Sequence, residues 1–206
     1  MIDAAQALER LRAGNRRFVE EVRGVQTAAT GEHRRRELTE SQEPFAIILG
    51  CSDSRVPAEI VFDQGLGDLF VIRVAGNIVA PSQIASVEFA AERFGTRLVV
   101  VLGHSKCGAV TATIEELGLP VHEQSRHLHS IVDRIRAPVE TLLALGAARD
   151  PSTLIEQAVR ANIRYAANQL RHGSQILEQL IHERGLRVVG AEYSLDSGIV
   201  DFFDGV

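Results

Sequence analysis

Two short segments concentrate the residues able to do chemistry, Cys51-Ser52-Asp53-Ser54-Arg55 and His104-Ser105-Lys106-Cys107-Gly108. Together they offer two thiols, one imidazole and one carboxylate. Zn²⁺ takes sulfur and nitrogen ligands in tetrahedral geometry, and a catalytic zinc uses three protein ligands while keeping the fourth position for water. Cys51, His104 and Cys107 are the candidate permanent ligands, with Asp53 a movable fourth. Taken singly, each cysteine reads as a small buried residue and the histidine as a hydrogen-bonded core group. The whole set, repeated on two similarly placed segments, points instead to a metal. A structural zinc finger would bring its cysteines in close pairs, and neither thiol carries the partner pattern of acyl transfer. Arg55 lies two residues beyond Asp53, so in an extended segment the two side chains share one side. A guanidinium fork grips a carboxylate through two charge-assisted bonds, which would hold Asp53 off the metal and leave it free to orient a water.

Both segments follow short apolar runs, Phe45-Ala46-Ile47-Ile48-Leu49 and Leu98-Val99-Val100-Val101-Leu102, each separated from its segment by a single glycine, Gly50 and Gly103. Runs of this kind read as buried parallel strands. Leu69 to Val74 and Leu186 to Ala191 have the same character, and helical patterns lie between them over Ser82 to Phe94, Gly108 to Leu117 and Ser152 to Arg171. Alternating strands and helices predict an α/β fold with a central, mostly parallel sheet flanked by helices. In such a sheet the loops at the carboxyl ends of the strands converge, so the two segments are expected to meet in space. Tyr193 to Phe202 reads as a C-terminal hairpin turning at Asp196-Ser197-Gly198. Residues 1–22 form an amphipathic pattern with Ile2, Leu8, Leu11, Phe18 and Val22 near one face. No partner helix follows nearby, so a second subunit is expected to cover that stripe. The polar stretch from Gly24 to Glu43, with its basic run His33-Arg34-Arg35-Arg36, marks no domain boundary. One domain over 1–206, with an N-terminal helical arm over 1–40, is the expected organisation.

The 206 residues carry 27 acidic and 22 basic side chains, a net charge of −5, which gives no broad footprint for nucleic acid or an anionic membrane. Neither a secretory leader nor a membrane-length apolar stretch is visible, so a cytoplasmic location is expected. With two cysteines only, a disulfide framework is not expected.

The chain resembles the β-class carbonic anhydrases at Cys51 to Glu59 and Gly103 to Val110, and also at Gly67 to Arg73, Ala75-Gly76-Asn77 and Gly14 to Phe18. The resemblance implies reversible hydration of carbon dioxide to bicarbonate and one zinc per subunit on Cys51, His104 and Cys107. It implies Asp53 and Arg55 as a catalytic dyad, and a homodimer or dimer of dimers with the N-terminal helix across the partner. It further implies that Gln42, Phe70 and Ala75 line a carbon dioxide pocket, partly from the neighbouring subunit, and that the backbone N–H of Gly108 meets bound anion. At Phe89 a tyrosine is common in the family. One subgroup binds inhibitory bicarbonate with a tryptophan, an arginine and that tyrosine, where this chain has Ile48, Arg73 and Phe89, so that regulation is not expected. Hydrolysis of carbonyl sulfide or carbon disulfide on the same metal set, and a zinc-stabilised scaffold without activity, are the alternatives. His122, His127 and His129 read as a solvated helix face, with proton transfer or a second metal as the other options.

Overall fold

The computed structural model describes residues 2–21, 31–120, 125–146 and 150–206. Five strands form one sheet: β1 (Ala46–Gly50), β2 (Leu69–Arg73), β3 (Leu98–His104), β4 (Arg187–Tyr193) and β5 (Val200–Asp204). Their order is β2-β1-β3-β4-β5, parallel from β2 to β4 and antiparallel at β5. The expected mixed edge is present. β4 also absorbs two elements that the sequence pattern separates, because the fourth apolar run continues into Tyr193, the first arm of the hairpin.

Side-chain alternation along the strands divides the core in two. Ile47, Leu49, Val99 and Val101 join one buried cluster, while Ala46, Ile48, Val100 and Leu102 join the other. Both faces are buried, as a parallel sheet requires.

The second face is covered by α1 (Ala4–Val19), capped by Asp3, whose carboxylate accepts from the Gln6 backbone N–H at 2.8 Å. Part of its stripe is covered within the chain: Leu8 and Leu11 are buried among Phe45, Ile48 and Phe62, while Ile2 and Phe18 pack there only in part. Leu8 and Leu11 therefore do not call for a second subunit to cover them, contrary to the expectation from sequence. Asn15 fastens it further, donating to the carbonyls of Val61 and Gly198 at 3.1 and 2.9 Å and accepting from the Val200 N–H at 2.9 Å. Val22 and residues 24–30 of the polar stretch lie outside the described residues; the remainder includes the short helix α2 (Glu32–Glu37).

After α3 (Ala58–Val61), the first face is covered by α4 (Pro81–Arg93), α5 (Gly108–Leu117), α6 (His129–Ala144), α7 (Pro151–His172) and α8 (Gln175–Arg184). α4, α5 and α7 fall where the periodicity predicts them. α6 and α8 do not appear in that pattern. Pro138 interrupts the first, and the second is only ten residues long, bounded by the Ser174 cap and by Gly185 at φ +68°. His127 and His129 sit at the start of α6, and His122 lies outside the described residues. Among the described residues, no helix is long and apolar enough to cross a membrane.

Candidate metal centre

The strand order fixes where the site must be. From β1 the chain steps to β2 on one side, then crosses to β3 on the other, so the β1/β3 boundary is the point where the winding reverses. Ligand sites in open α/β sheets form at the carboxyl ends of strands flanking such a point. Cys51 leaves β1 there, His104 ends β3, and Cys107 is the residue from which α5 starts.

Cys51 continues the inward alternation of Ile47 and Leu49 and stays in their cluster. Lys106, at φ +55°, turns the chain sharply enough to bring Cys107 back beside His104. Three bonds to the hairpin hold this loop, Ser105 N–H to the Tyr193 carbonyl at 3.0 Å, Leu195 N–H to Ser105 Oγ at 2.9 Å and Lys106 Nζ to Asp196 Oδ1 at 2.6 Å. The two sulfurs and a His104 ring nitrogen all lie within 4.8 Å of one another, and all three residues are buried.

A turn at Ala75–Asn77 closes the third side, where the Gly76 N–H donates to Cys51 Sγ at 3.4 Å. Gly76 has φ +70°, and a Cβ there would stand 2.7 Å from Ile135 Cδ1 and 3.1 Å from Ala109 Cβ. Glycine is favoured on both counts, by the left-handed backbone and by the close Ile135 and Ala109 side chains. Asn162 of α7 holds the same turn through a 2.8 Å bond to the Gly76 carbonyl.

His104 Nδ1 lies 3.0 Å from the Ser105 carbonyl oxygen. That contact places the proton on Nδ1 and leaves the Nε2 lone pair directed into the cluster, the usual arrangement for a metal-ligating histidine. Nε2 is buried without a hydrogen-bond partner. A buried polar atom left unpaired costs about 1–3 kcal/mol, and a cation shared with two sulfurs would remove that cost. The Cys₂His donor set and its burial fit Zn²⁺.

Asp53 and Arg55 meet as a fork: Arg55 Nε donates to Oδ1 at 2.9 Å and Nη2 to Oδ2 at 2.7 Å. They do so across a turn, closed by the Val56 N–H on the Asp53 carbonyl at 3.1 Å, and not along the extended backbone expected from their spacing. Asp53 Oδ2 stands 3.7 Å from His104 Nε2, next to the position a metal would take.

Protons distribute unevenly in this cluster. The Cys107 hydrogen bond, with help from His104 and the Asp53 and Gly76 N–H groups, pulls the Cys51 thiol well down against the effect of burial. Cys107, sharing that bond with an anion and buried, is pushed up. Burial opposes a charge on His104, but the Cys51 sulfur beside it outweighs that and raises the imidazole. The metal-free site thus holds protons that a bound dication would release. The Arg55 fork holds the Asp53 carboxyl well below the usual carboxylate range.

A family model for carbonic anhydrase matches residues 46–200. Carbonic anhydrase 2 of Mycobacterium tuberculosis is 35% identical over 195 residues, 93% of this chain and 89% of that protein. The chain belongs to the β-class carbonic anhydrases. A solved β-carbonic anhydrase, CcaA, superposes with a TM-score of 0.76 at 28% identity, covering 96% of this chain and 95% of its own. One of two tetrameric β-carbonic anhydrases from Sordaria macrospora superposes at 0.75 with 24% identity, covering 83% and 86%, a likeness of fold.

The other β-carbonic anhydrase positions divide. Ala75 adjoins Gly76 in the turn against Cys51, and Gly108, exposed, opens α5 with no atom near its missing Cβ. Phe70 sits in β2, its ring 6.2 and 6.0 Å from those of Phe89 and Phe94. Gln42 precedes β1, in a cleft of about 330 Å³ with Glu40, Arg93 and Phe94, on the amino side of the strand whose carboxyl end bears Cys51. Within one chain it does not reach the metal cluster.

Arg73 has a place that spacing does not reveal. Its guanidinium donates to the carbonyls of Cys51 and Asp53 at 3.0 and 2.6 Å.

Proposed function

We propose that this β-carbonic anhydrase hydrates carbon dioxide reversibly to bicarbonate and a proton, with one Zn²⁺ per chain held by Cys51, His104 and Cys107. The observation that carries the reading is a buried Cys₂His set with an unpartnered His104 Nε2, beside a carboxylate already engaged by arginine. Zn²⁺ bound there supplies Lewis acidity, bringing the pKa of a water toward neutrality.

The chain's own residues do the rest. Asp53, ionised and held by Arg55, accepts a hydrogen bond from the attacking water and orients it toward the carbon of carbon dioxide. Arg55 keeps the carboxylate from competing for the metal. Ala75 offers apolar surface to an uncharged substrate, and the Gly108 N–H at the start of α5 meets the product anion. Gln42 and Phe70, both toward the amino ends of their strands, would serve the site of a second copy of the chain, giving a homodimer or a dimer of dimers. The exposed ring of Phe89, beside Phe70 and Phe94 near the β2 edge of the sheet, supports such an assembly. We take residues 1–206 as one domain, acting in the cytoplasm, where two unpaired cysteines stay reduced.

Stopped-flow measurement of carbon dioxide hydration across pH tests the reading. Two thiolates offset the charge of the dication, so the acidic water should titrate above the value of about 7 found at an all-histidine site. Turnover should therefore rise from neutrality into mild alkalinity. Asp53 is ionised throughout that range and does not produce the rise. A profile that falls over the same interval with zinc still bound, or a rate no greater than the uncatalysed one, would overturn it.

A further inference from the structure

We infer that Arg73 is a positioning residue for this reaction, setting where the Asp53 carboxylate stands by clamping the backbone that bears both it and Cys51. The inference rests on the function proposed above. Arg73 is the last residue of β2 and pairs in register with Gly50, the last of β1, so its side chain starts beside the point where the Cys51–Arg55 segment leaves the sheet. Nε donates to the Cys51 carbonyl at 3.0 Å and Nη2 to the Asp53 carbonyl at 2.6 Å, so one planar group spans Ser52.

Apart from the Gly76 N–H on Cys51 Sγ at 3.4 Å, which holds a side chain and not the backbone, little else ties this segment to the β2 side. The Val74 N–H reaches the Gly50 carbonyl at 3.1 Å, one residue too early, and the Val56 N–H bond to Asp53 lies within the turn itself. Among the described residues no carboxylate pairs with Arg73, so the guanidinium is committed to these two carbonyls. The commitment matters because Asp53 Oδ2 is only 3.7 Å from His104 Nε2. A small displacement of the Asp53 backbone would carry the carboxylate from the Arg55 fork onto the metal position. Arg55 holds the side chain, and Arg73 holds the chain beneath it. Lysine would supply one point donor in place of a two-pronged fork and reach one carbonyl at a time.

The test compares the parent, Arg73→Met, Arg73→Lys, and Arg73→Met combined with Asp53→Ala. Each is loaded with Co²⁺ for visible absorption at one fixed pH and with Zn²⁺ for metal content and hydration kinetics. Arg73→Met should keep one metal per chain, lose kcat by on the order of tenfold to a hundredfold, as small misplacements near a reaction centre do, and leave KM little changed. Its cobalt spectrum should shift from the parent's, the shift should vanish when Asp53 is also Ala, and Arg73→Lys should fall between. Parent-like spectrum and turnover in Arg73→Met would overturn the inference, as would a spectral shift that survives Asp53→Ala. Should Arg73→Met not fold, the same comparison is made with Arg73→Lys and its Asp53→Ala combination. A parent that binds cobalt but does not hydrate carbon dioxide would refute the proposed function, while the spectra would still decide the role of Arg73.

Discussion

At the residue scale, the centre depends on a division of labour between groups that bind and groups that hold. In the proposed centre Cys107 is a ligand: Cys107→Ala should lower zinc content and hydration together, by more than the roughly hundredfold that loss of a supporting partner costs, as metal analysis and stopped-flow assays would show. Full occupancy with normal turnover would remove it from the ligand set. Arg55 holds: Arg55→Lys keeps the charge but not the fork that now makes bonds of 2.9 and 2.7 Å to Asp53. Zinc should be retained and kcat/KM should fall on the order of a hundredfold; a variant with parental kcat/KM would show that the dyad has no such task. That Cys51, His104 and Cys107 gather in one cluster and that Arg55 grips Asp53 was legible because their residue types are chemically unusual after apolar runs. Arg73 was not, because a charged residue at a strand end is ordinary until the register with Gly50 shows which carbonyls lie within its reach.

At the element scale, turns decide the geometry as much as strands do. Gly76→Ala places a methyl 2.7 Å from Ile135 Cδ1 in a left-handed backbone, so the variant should lose at least about 1–2 kcal/mol of stability, measured by denaturant unfolding. An unchanged midpoint would mean that the turn relaxes freely and does not brace Cys51. The strands, the mixed sheet edge and four of the helices, α1, α4, α5 and α7, were readable from apolar runs and periodicity. α6 was hidden by Pro138, and α8 was marked by its caps more than by its apolar pattern. The turn that joins Asp53 to Arg55 also escaped notice, since a spacing of two suits an extended segment equally well.

At the scale of the whole molecule, the N-terminal stripe illustrates what a linear pattern leaves open. Its apolar face was legible, but its partner was not: the middle of the stripe, Leu8 and Leu11, is buried against the chain's own sheet among the side chains of the second cluster. The reason to expect assembly moves to the β2 edge, where Phe89 remains 53% exposed, and to Gln42, on the amino side of β1. Light scattering at micromolar concentration should therefore report a dimer or tetramer, and a monomer with full activity would show that one chain completes its own site. The measurement that bears most directly on the whole account is a zinc titration of the metal-free protein, with carbon dioxide hydration followed at each addition. Activity should be absent at the start, rise in proportion to zinc bound, and break at one zinc per chain. Hydration by the metal-free protein, or zinc that binds at Cys51, His104 and Cys107 without bringing any activity, would contradict it.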